Sequence, residues 1–378
     1  MIKLRSNKNL IHSDSKSPRI LKITTNPNLP RILRSNRALI TDNPGCLDLS
    51  DYGMVFSTQK SKNTDVEFLD IQLSYLQDGD VIRVVPDSNT VRAIYRVNAS
   101  ANFLFVTERC NSFCIMCSQP PRDVADSYLI EELIEAVPLI DKGVTELGIT
   151  GGEPTLLGSR FIKLLQTIQI YHPGTAIHVL TNGRTFSDPS LVEQVSRLEH
   201  DDLMFGIPLY SDISDHHDFV VQADHAFDET IKGILNLKRH SQKVEIRVVV
   251  HQQTYKRLPQ LAEFIGRNLQ FVDHVALMGL EITGFTRANL EDLWIDPIEY
   301  IGELERAVDI LTRYKIRTSI YNLQRCLIPS RLWPYAVKSI SDWKNKYYPE
   351  CNECSQKHNC GGFFASADIR KSAFIKPI

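Results

Sequence analysis

Along the first hundred residues the apolar positions come in short runs and not at helical spacing. Ile20–Thr24, Val66–Leu73, Val81–Val85 and Val91–Val97 read as β-strands, with Asp78-Gly79-Asp80 and Pro86-Asp87-Ser88-Asn89 as turns between them. The pattern predicts a small β-rich domain over residues 1–100. Residues 1–18 are polar, start no periodic pattern, and are expected to lack regular structure.

From residue 101 the pattern becomes strand, loop, helix, repeated. Phe103–Thr107, Glu146–Thr150, Ala176–Leu180, Leu203–Leu209, Val244–Val250, Val272–Leu280 and Ile316–Tyr321 are short apolar runs that read as strands. Between them Leu129–Ile140, Phe161–Ile170, Leu191–Leu198, Phe227–His240, Leu258–Asn268 and Pro297–Tyr314 carry apolar residues at helical spacing. Near-continuous apolar strands alternating with helices require a parallel sheet covered by helices. Six such units are too few for a closed eight-stranded barrel. The expected fold is therefore α/β, a partial (β/α)6 TIM-like barrel over residues 101–321, with chemistry at the C-terminal ends of the strands. Residues 322–378 form a cysteine-rich extension.

The 378-residue chain is 43% hydrophobic and 23% charged, with a formal net charge of −2. This composition is that of an ordinary globular protein. The near-neutral balance argues against a broad electrostatic grip on nucleic acid or an anionic membrane. No apolar run approaches the roughly 20 residues that span a bilayer, and the charged N-terminus lacks a secretory apolar core, so a cytoplasmic protein is expected.

The eight cysteines sharpen the picture. Cys110, Cys114 and Cys117 lie together after the first barrel strand. Cys351, Cys354 and Cys360 lie together near the end, with Cys326 upstream, and Cys46 stands alone as an expected buried thiol. Clustered cysteines in a reducing compartment read as metal ligands before disulfides. The C-x3-C-x2-C array offers three thiolates on one loop, enough for three corners of a cubane cluster with the fourth iron open. A set of buried or zinc-binding cysteines is the alternative. Gly151-Gly152-Glu153-Pro154 follows the second barrel strand and Thr181-Asn182-Gly183 the third. Glycines allow close approach of the backbone to a ligand, and a carboxylate can accept from an ammonium. Each is an ordinary turn when taken alone.

With these motifs at three successive strand ends, the sequence resembles the radical S-adenosylmethionine (SAM) superfamily. The resemblance implies a [4Fe–4S] cluster on Cys110, Cys114 and Cys117. It implies SAM bound through Gly151, Gly152 and Glu153 at its amino group and through Thr181 and Asn182 at its ribose or carboxylate. Met116 stands where the superfamily often has an aromatic near adenine. Pro208 departs from a serine expected near the ribose, leaving Tyr210, Ser211 or Asp212 as substitutes. The implied reaction is reductive cleavage of SAM to a 5′-deoxyadenosyl radical that abstracts hydrogen from a substrate.

Cys326 with Cys351-Asn-Glu-Cys354-Ser-Gln-Lys-His-Asn-Cys360 gives four thiolates, enough to close a second [4Fe–4S] cluster or a zinc site, in which His358 could replace one cysteine. Phe364 stands where relatives with two auxiliary clusters carry a further cysteine. Weaker candidates are His216, His217 and Asp218, expected on a surface loop, together with Arg247 and Glu281. Arg247 shares a strand face with Glu245 and Val249. Catalytic roles are considered for Tyr210, Asp212, Arg247 and Glu281.

The stretches Cys110–Arg122, Phe227-Asp-Glu-Thr-Ile231 and Ser339-Ile-Ser-Asp-Trp-Lys-Asn345 are similar to His-Xaa-Ser system radical SAM maturases of the C type, a likeness covering most of the chain. It implies a ribosomally made precursor peptide with His-Xaa-Ser repeats, a second radical SAM maturase as partner, and an electron donor such as flavodoxin or ferredoxin. Radical chemistry on RNA or a small molecule, and a non-enzymatic iron–sulfur or zinc regulator, are the competing readings.

Overall fold

The structure, a computed structural model, describes residues 4–11, 17–60, 63, 65–338 and 346–378, without the side chain of Cys46. The 339–345 stretch used above lies outside the described residues. The chain divides into two compact units, one of Met1–Leu104, Ser127–Leu147 and Lys163–Thr175, the other of Phe105–Asp126, Gly148–Ile162 and Ala176–Ile378.

The first unit is built on a seven-stranded sheet of β1 (Arg5–Ser6), β2 (Arg19–Thr24), β3 (Arg37–Ile40), β4 (Met54–Ser57), β5 (Glu67–Phe68), β6 (Val81–Val85) and β7 (Thr90–Tyr95), in the order β1-β7-β6-β2-β3-β4-β5. Strands β2 to β5 run parallel, while β6 is antiparallel to both β2 and β7. Leu21, Ile23, Phe56, Leu69, Leu73 and Ile82 fill its core. Helix α1 (Tyr128–Ala136) belongs to this unit, and its Glu132 pairs with Arg83 and Arg92 of β6 and β7. Two expectations fail here. Residues 4–11 are ordered: β1 pairs with β7, Leu10 bridges Phe68, and buried Asn9 bonds to Ser6, Asp70 and Asn89. The expected strand 66–73 stops at Phe68, because the Asp70 carboxylate accepts from the Gln72 N–H and caps a 3-10 turn. Strands β3 and β4, only four residues each, escaped the reading.

From residue 103 onward the strands and helices follow the predicted alternation closely. In order come β8 (Phe103–Phe105), β9 (Glu146–Thr150), α2 (Ser159–Tyr171), β10 (Ala176–Leu180), α3 (Pro189–Ser196), β11 (Leu203–Pro208), α4 (Ser214–Val221), α5 (Ala226–Arg239), β12 (Lys243–Val250), α6 (Leu258–Asn268), β13 (His274–Gly279), α7 (Phe285–Ala288), α8 (Leu290–Leu293), α9 (Ile301–Arg313) and β14 (Thr318–Tyr321). The strands form one sheet in sequential order from β8 to β14, and β10 to β14 pair in parallel. An order that never reverses winds every crossover the same way, as in a barrel, and the two edges, β8 and β14, leave it partial. One face of the sheet is apolar: Ile177, Val179, Phe205, Ile207, Val244, Ile246, Val275 and Leu277 are all buried. The other carries His178, Glu245, Arg247, His274 and Ser319, which strand alternation places together.

The expected loop at His216-His217-Asp218 is helix α4. Its five consecutive polar residues hid the helical spacing, and only His217, Val220 and Val221 turn inward. Among the described residues no helix is long and apolar enough to cross a membrane.

Candidate active site

The cysteine loop leaves β8 under tight backbone control. Thr107 is fully buried and its Oγ1 donates to Asp126 Oδ2 (2.7 Å), which also accepts from the Glu108 N–H (2.6 Å). Farther along, the Phe113 and Ile115 N–H groups donate to the carbonyls of Val221 and Val220 at the end of α4. The Ile115, Met116 and Cys117 carbonyls accept from Asn289 Nδ2 (2.8 Å), Thr286 Oγ1 (3.0 Å) and the Phe285 N–H (2.8 Å). Gly284 makes that last contact possible. It sits at φ +53°, and a Cβ there would lie 2.2 Å from the Cys117 oxygen. With these peptide groups committed, the three thiols form no disulfide and are partly exposed, that of Cys117 donating to the Gln119 carbonyl (3.0 Å). Burial pushes Cys110 up to about 11, with Glu153 and then Cys117 adding to the rise, and Cys114 up to about 12, with Cys117 and Cys110 adding. Three thiols raised by burial on one hydrogen-bonded loop suit a group that takes their protons and spreads their charge.

The glycines after β9 serve the loop itself. A Cβ on Gly151 would meet the Thr107 oxygen at 2.6 Å, and one on Gly152 the Arg109 oxygen at 2.1 Å. Backbone approaches backbone, and the Gly152 and Glu153 N–H groups donate to Thr107 (2.7 Å) and Arg109 (2.8 Å). Glu153 is fully buried. Its Oε1 accepts from the Thr155 N–H, Thr155 Oγ1 and Thr181 Oγ1, and its Oε2 from the Asn182 N–H at 2.6 Å. Burial raises this carboxyl and the four donors oppose the rise. Glu153 thus welds the β9 and β10 loops together. Asn182 extends the weld, donating from Nδ2 to Asn111 Oδ1 (2.6 Å) and lying 3.9 Å from Cys110 Sγ. Gly183, at φ +78°, turns the chain, and Arg184 reaches back to the Asn111 oxygen and Ser112 Oγ. Sequence reading missed Arg184. It directly follows the Thr181-Asn182-Gly183 turn, which was the available signal.

After β11 the residues separate in role. Met116 and Tyr210 are buried in one cluster with Val220, Val221, Ala226 and Leu293. The Tyr210 ring stacks on His217 at 5.8 Å. Burial, with Cys114 and Cys117 nearby, pushes the Tyr210 hydroxyl well above its ordinary range. Ser211 is fully buried, and its Oγ accepts from the Ile213 N–H and contacts His216 Nδ1, so it is spent on local structure. Asp212 forms a two-point ion pair with Arg257 (2.9 and 2.6 Å). Arg247 Nη1 donates to Glu245 Oε1 at 2.6 Å, and among the described residues its Nη2 meets Met278 Sδ (3.3 Å). Glu245 also holds His274 Nδ1 (2.6 Å) and lies 3.5 Å from His178 Nε2, while His274 Nε2 reaches Ser319 Oγ. Burial would raise Glu245, yet His274 and Arg247 hold it down at about 2. Gly206 leaves the room: a Cβ there would press within 3.0 Å of both His178 and Arg247. Sequence alternation found Arg247 and Glu245 but not the histidines on neighbouring strands. Glu281, past the end of β13, is partly exposed.

Residues 104–265 match the family model described as the radical SAM superfamily. The chain carries a radical SAM domain. One curated relative, GTP 3′,8-cyclase of Peptoclostridium acidaminophilum, is 35% identical over 88 residues, which are 22% of this chain and 27% of that protein. The chain thus spans about a quarter of that relative. Among solved structures, native anSMEcpe with bound AdoMet and Cp18Cys peptide shares 15% identity over 73% of this chain and 91% of its own, at a TM-score of 0.52. Streptococcus suis SuiB bound to precursor peptide SuiA shares 19% identity over 58% and 48%, at a TM-score of 0.46. The likeness to anSMEcpe is one of fold.

Beyond the radical SAM domain, Cys326, Cys351, Cys354 and Cys360 line one small cavity together with Arg325, Tyr347, Lys357 and Lys376. All four thiols are free. Burial raises the Cys326 thiol, and the Lys376 N–H donates toward it. His358 is exposed and does not line the cavity, so the donor set here is four cysteines. Among the described residues, no three His, Cys, Asp or Glu side chains converge on a single-ion site. A cubane is wider than such a site, because each sulfur binds a different iron.

Proposed function

We propose that this protein is an enzyme that reductively cleaves SAM and directs the resulting 5′-deoxyadenosyl radical at a ribosomally made peptide of the His-Xaa-Ser type. The observation that carries the reading is the welded set of three loops. Glu153, Asn182 and Arg184 tie down the residues flanking Cys110, and Phe285, Thr286 and Asn289 hold the carbonyls of Ile115 to Cys117, with none of the three cysteines in a disulfide. A [4Fe–4S] cluster held by these three cysteines supplies an iron open to a chelating ligand and a low-potential electron. The chain's own contribution is order. We assign the amino acid and ribose ends of SAM to the β9 and β10 loops, which border the cysteine loop, at Gly151, Gly152, Thr181 and Asn182. Glu153 acts there through the loops it joins. Tyr210, Arg247 and Glu281 are the substrate-side candidates; Ser211 and Asp212 are engaged elsewhere. Among the described residues Arg247 Nη2 reaches only the weak acceptor Met278 Sδ, which suits a polar substrate group.

The four cysteines of the C-terminal extension suit a second [4Fe–4S] cluster, with zinc as the competing occupant. A peptide substrate is supported by the family resemblance and by a structure of the same fold that holds a peptide beside AdoMet. The test is anaerobic reconstitution of the full chain with iron and sulfide. Reductant and SAM should yield 5′-deoxyadenosine, and Cys114→Ala should abolish it. A His-Xaa-Ser repeat peptide should raise the yield and change mass. An intact, reducible cluster that forms no 5′-deoxyadenosine sinks the enzymatic reading, and turnover stimulated only by nucleotides or RNA sinks the peptide.

A further inference from the structure

We propose that the Arg184–Glu229 ion pair sets the potential at which a cluster on the cysteine loop accepts its electron, Arg184 raising it and Glu229 holding it in check. The inference rests on the cluster assignment above. Arg184 follows Gly183, and its guanidinium is enclosed, with 13% of the side chain exposed. Nη1 donates to the Asn111 oxygen (2.5 Å) and to Ser112 Oγ (3.2 Å), so the cation is bonded to the two residues that follow Cys110. Nε donates to Glu229 Oε2 (2.6 Å). Glu229 lies in the Phe227–Ile231 stretch, singled out in the sequence and otherwise without a role.

The turn that carries Arg184 cannot drift. Gly233 of α5 packs so closely that a Cβ would stand 2.2 Å from the Gly183 oxygen, and Thr230 Oγ1 donates to the Asn182 oxygen (3.2 Å). Glu229 is 41% exposed, so water screens it far more than it screens Arg184. The cation also lies between Glu229 and the cysteine loop. The pair is therefore not neutral as the loop senses it: a net positive field remains. One-electron reduction adds a negative charge at the cluster and oxidises an external donor, with no bond made or broken. A fixed cation favours the reduced form and an anion opposes it. Arg184 is a positioning residue in this account, since it touches the loop and not the reacting atoms.

The test uses the full reconstituted chain and redox titration followed by electron paramagnetic resonance, reading the signal that changes on addition of SAM. Arg184→Gln should move that midpoint to more negative potential and Glu229→Gln, by a smaller amount, to less negative potential. Arg184→Lys should keep most of the wild-type value. A purely structural clamp would move both variants the same way or leave the potential alone, and either result overturns the proposal. Should Arg184→Gln lose its iron, Glu229→Gln at a half-exposed site decides alone: a positive shift supports the proposal and no shift refutes it. A chain in which no signal responds to SAM fails the proposed function instead.

Discussion

Gly152→Ala is the sharpest perturbation the molecule offers. Its Cβ would stand 2.1 Å from the Arg109 oxygen and 2.6 Å from that carbonyl carbon, where ordinary contact begins at 3.4 Å. Backbone, unlike a side chain, has no rotamer to move into, so the two loops must part by about 1 Å. Parting lengthens the Gly152-to-Thr107 and Glu153-to-Arg109 hydrogen bonds, each worth about 1 kcal/mol. Overpacking adds roughly 1–3 kcal/mol. The total is about 3–5 kcal/mol, or a drop of several degrees in Tm. Arg109 immediately precedes Cys110, so the displacement also moves a proposed cluster ligand, and iron incorporation should fall by more than half. Gly174→Ala is the control, because nothing lies within 4 Å of its Cβ and no positive φ strains it. Thermal unfolding by circular dichroism, and iron per chain after reconstitution, read the two effects. If Gly152→Ala melts with Gly174→Ala and loads the same iron, the close approach described here is wrong.

Two further outcomes are expected. Cys351→Ala/Cys354→Ala should lower the iron content from about eight to about four per chain while the SAM-responsive signal persists; loss of zinc at constant iron would make the C-terminal centre a zinc site. Stability should fall as acid is added, because burial holds His217 at about 4 and His251 at about 3, both below the ordinary 6.5. The unfolded chain then binds more protons, so the contribution is complete above pH 6.5 and is lost as pH drops toward 4 and 3. At pH 5 each histidine should cost about 2 kcal/mol in urea unfolding relative to pH 7.5. A profile of equal slope in His217→Gln/His251→Gln would remove these histidines from the account.

What the sequence revealed depended on how far each signal reaches along the chain. The strands and helices from β8 to β14 were legible because each buries a face whose period is set by its own residues. Helix α4 was not, since Ser214 to Asp218 are polar, and one of its three buried residues is itself a polar one, His217. The strand expected at 66–73 failed because Asp70 caps a turn in the middle of an apolar run. At the candidate site, residue types and order were readable but purposes were not. Gly152 was read as making room for a ligand and makes room for Arg109. Glu153 was read as an acceptor for an ammonium and accepts from four groups of its own chain. Partners such as Gly284 and Arg184 are recognisable only when loops distant in sequence are brought together.

The hold of Gly284, Thr286 and Asn289 on the cysteine loop also has a consequence for the order of events during synthesis. Contacts to Ile115 and Met116 reach across 174 and 170 residues. While the ribosome is still making the chain, the cysteines emerge long before the segment that fixes their carbonyls. A nascent chain that has displayed all three thiols therefore still lacks the finished nest, which closes only after residue 289 is released. Under the proposed assignment, cluster delivery would follow the release of residue 289, and a fragment ending at residue 265 would contain every cysteine of the loop without the support that shapes it.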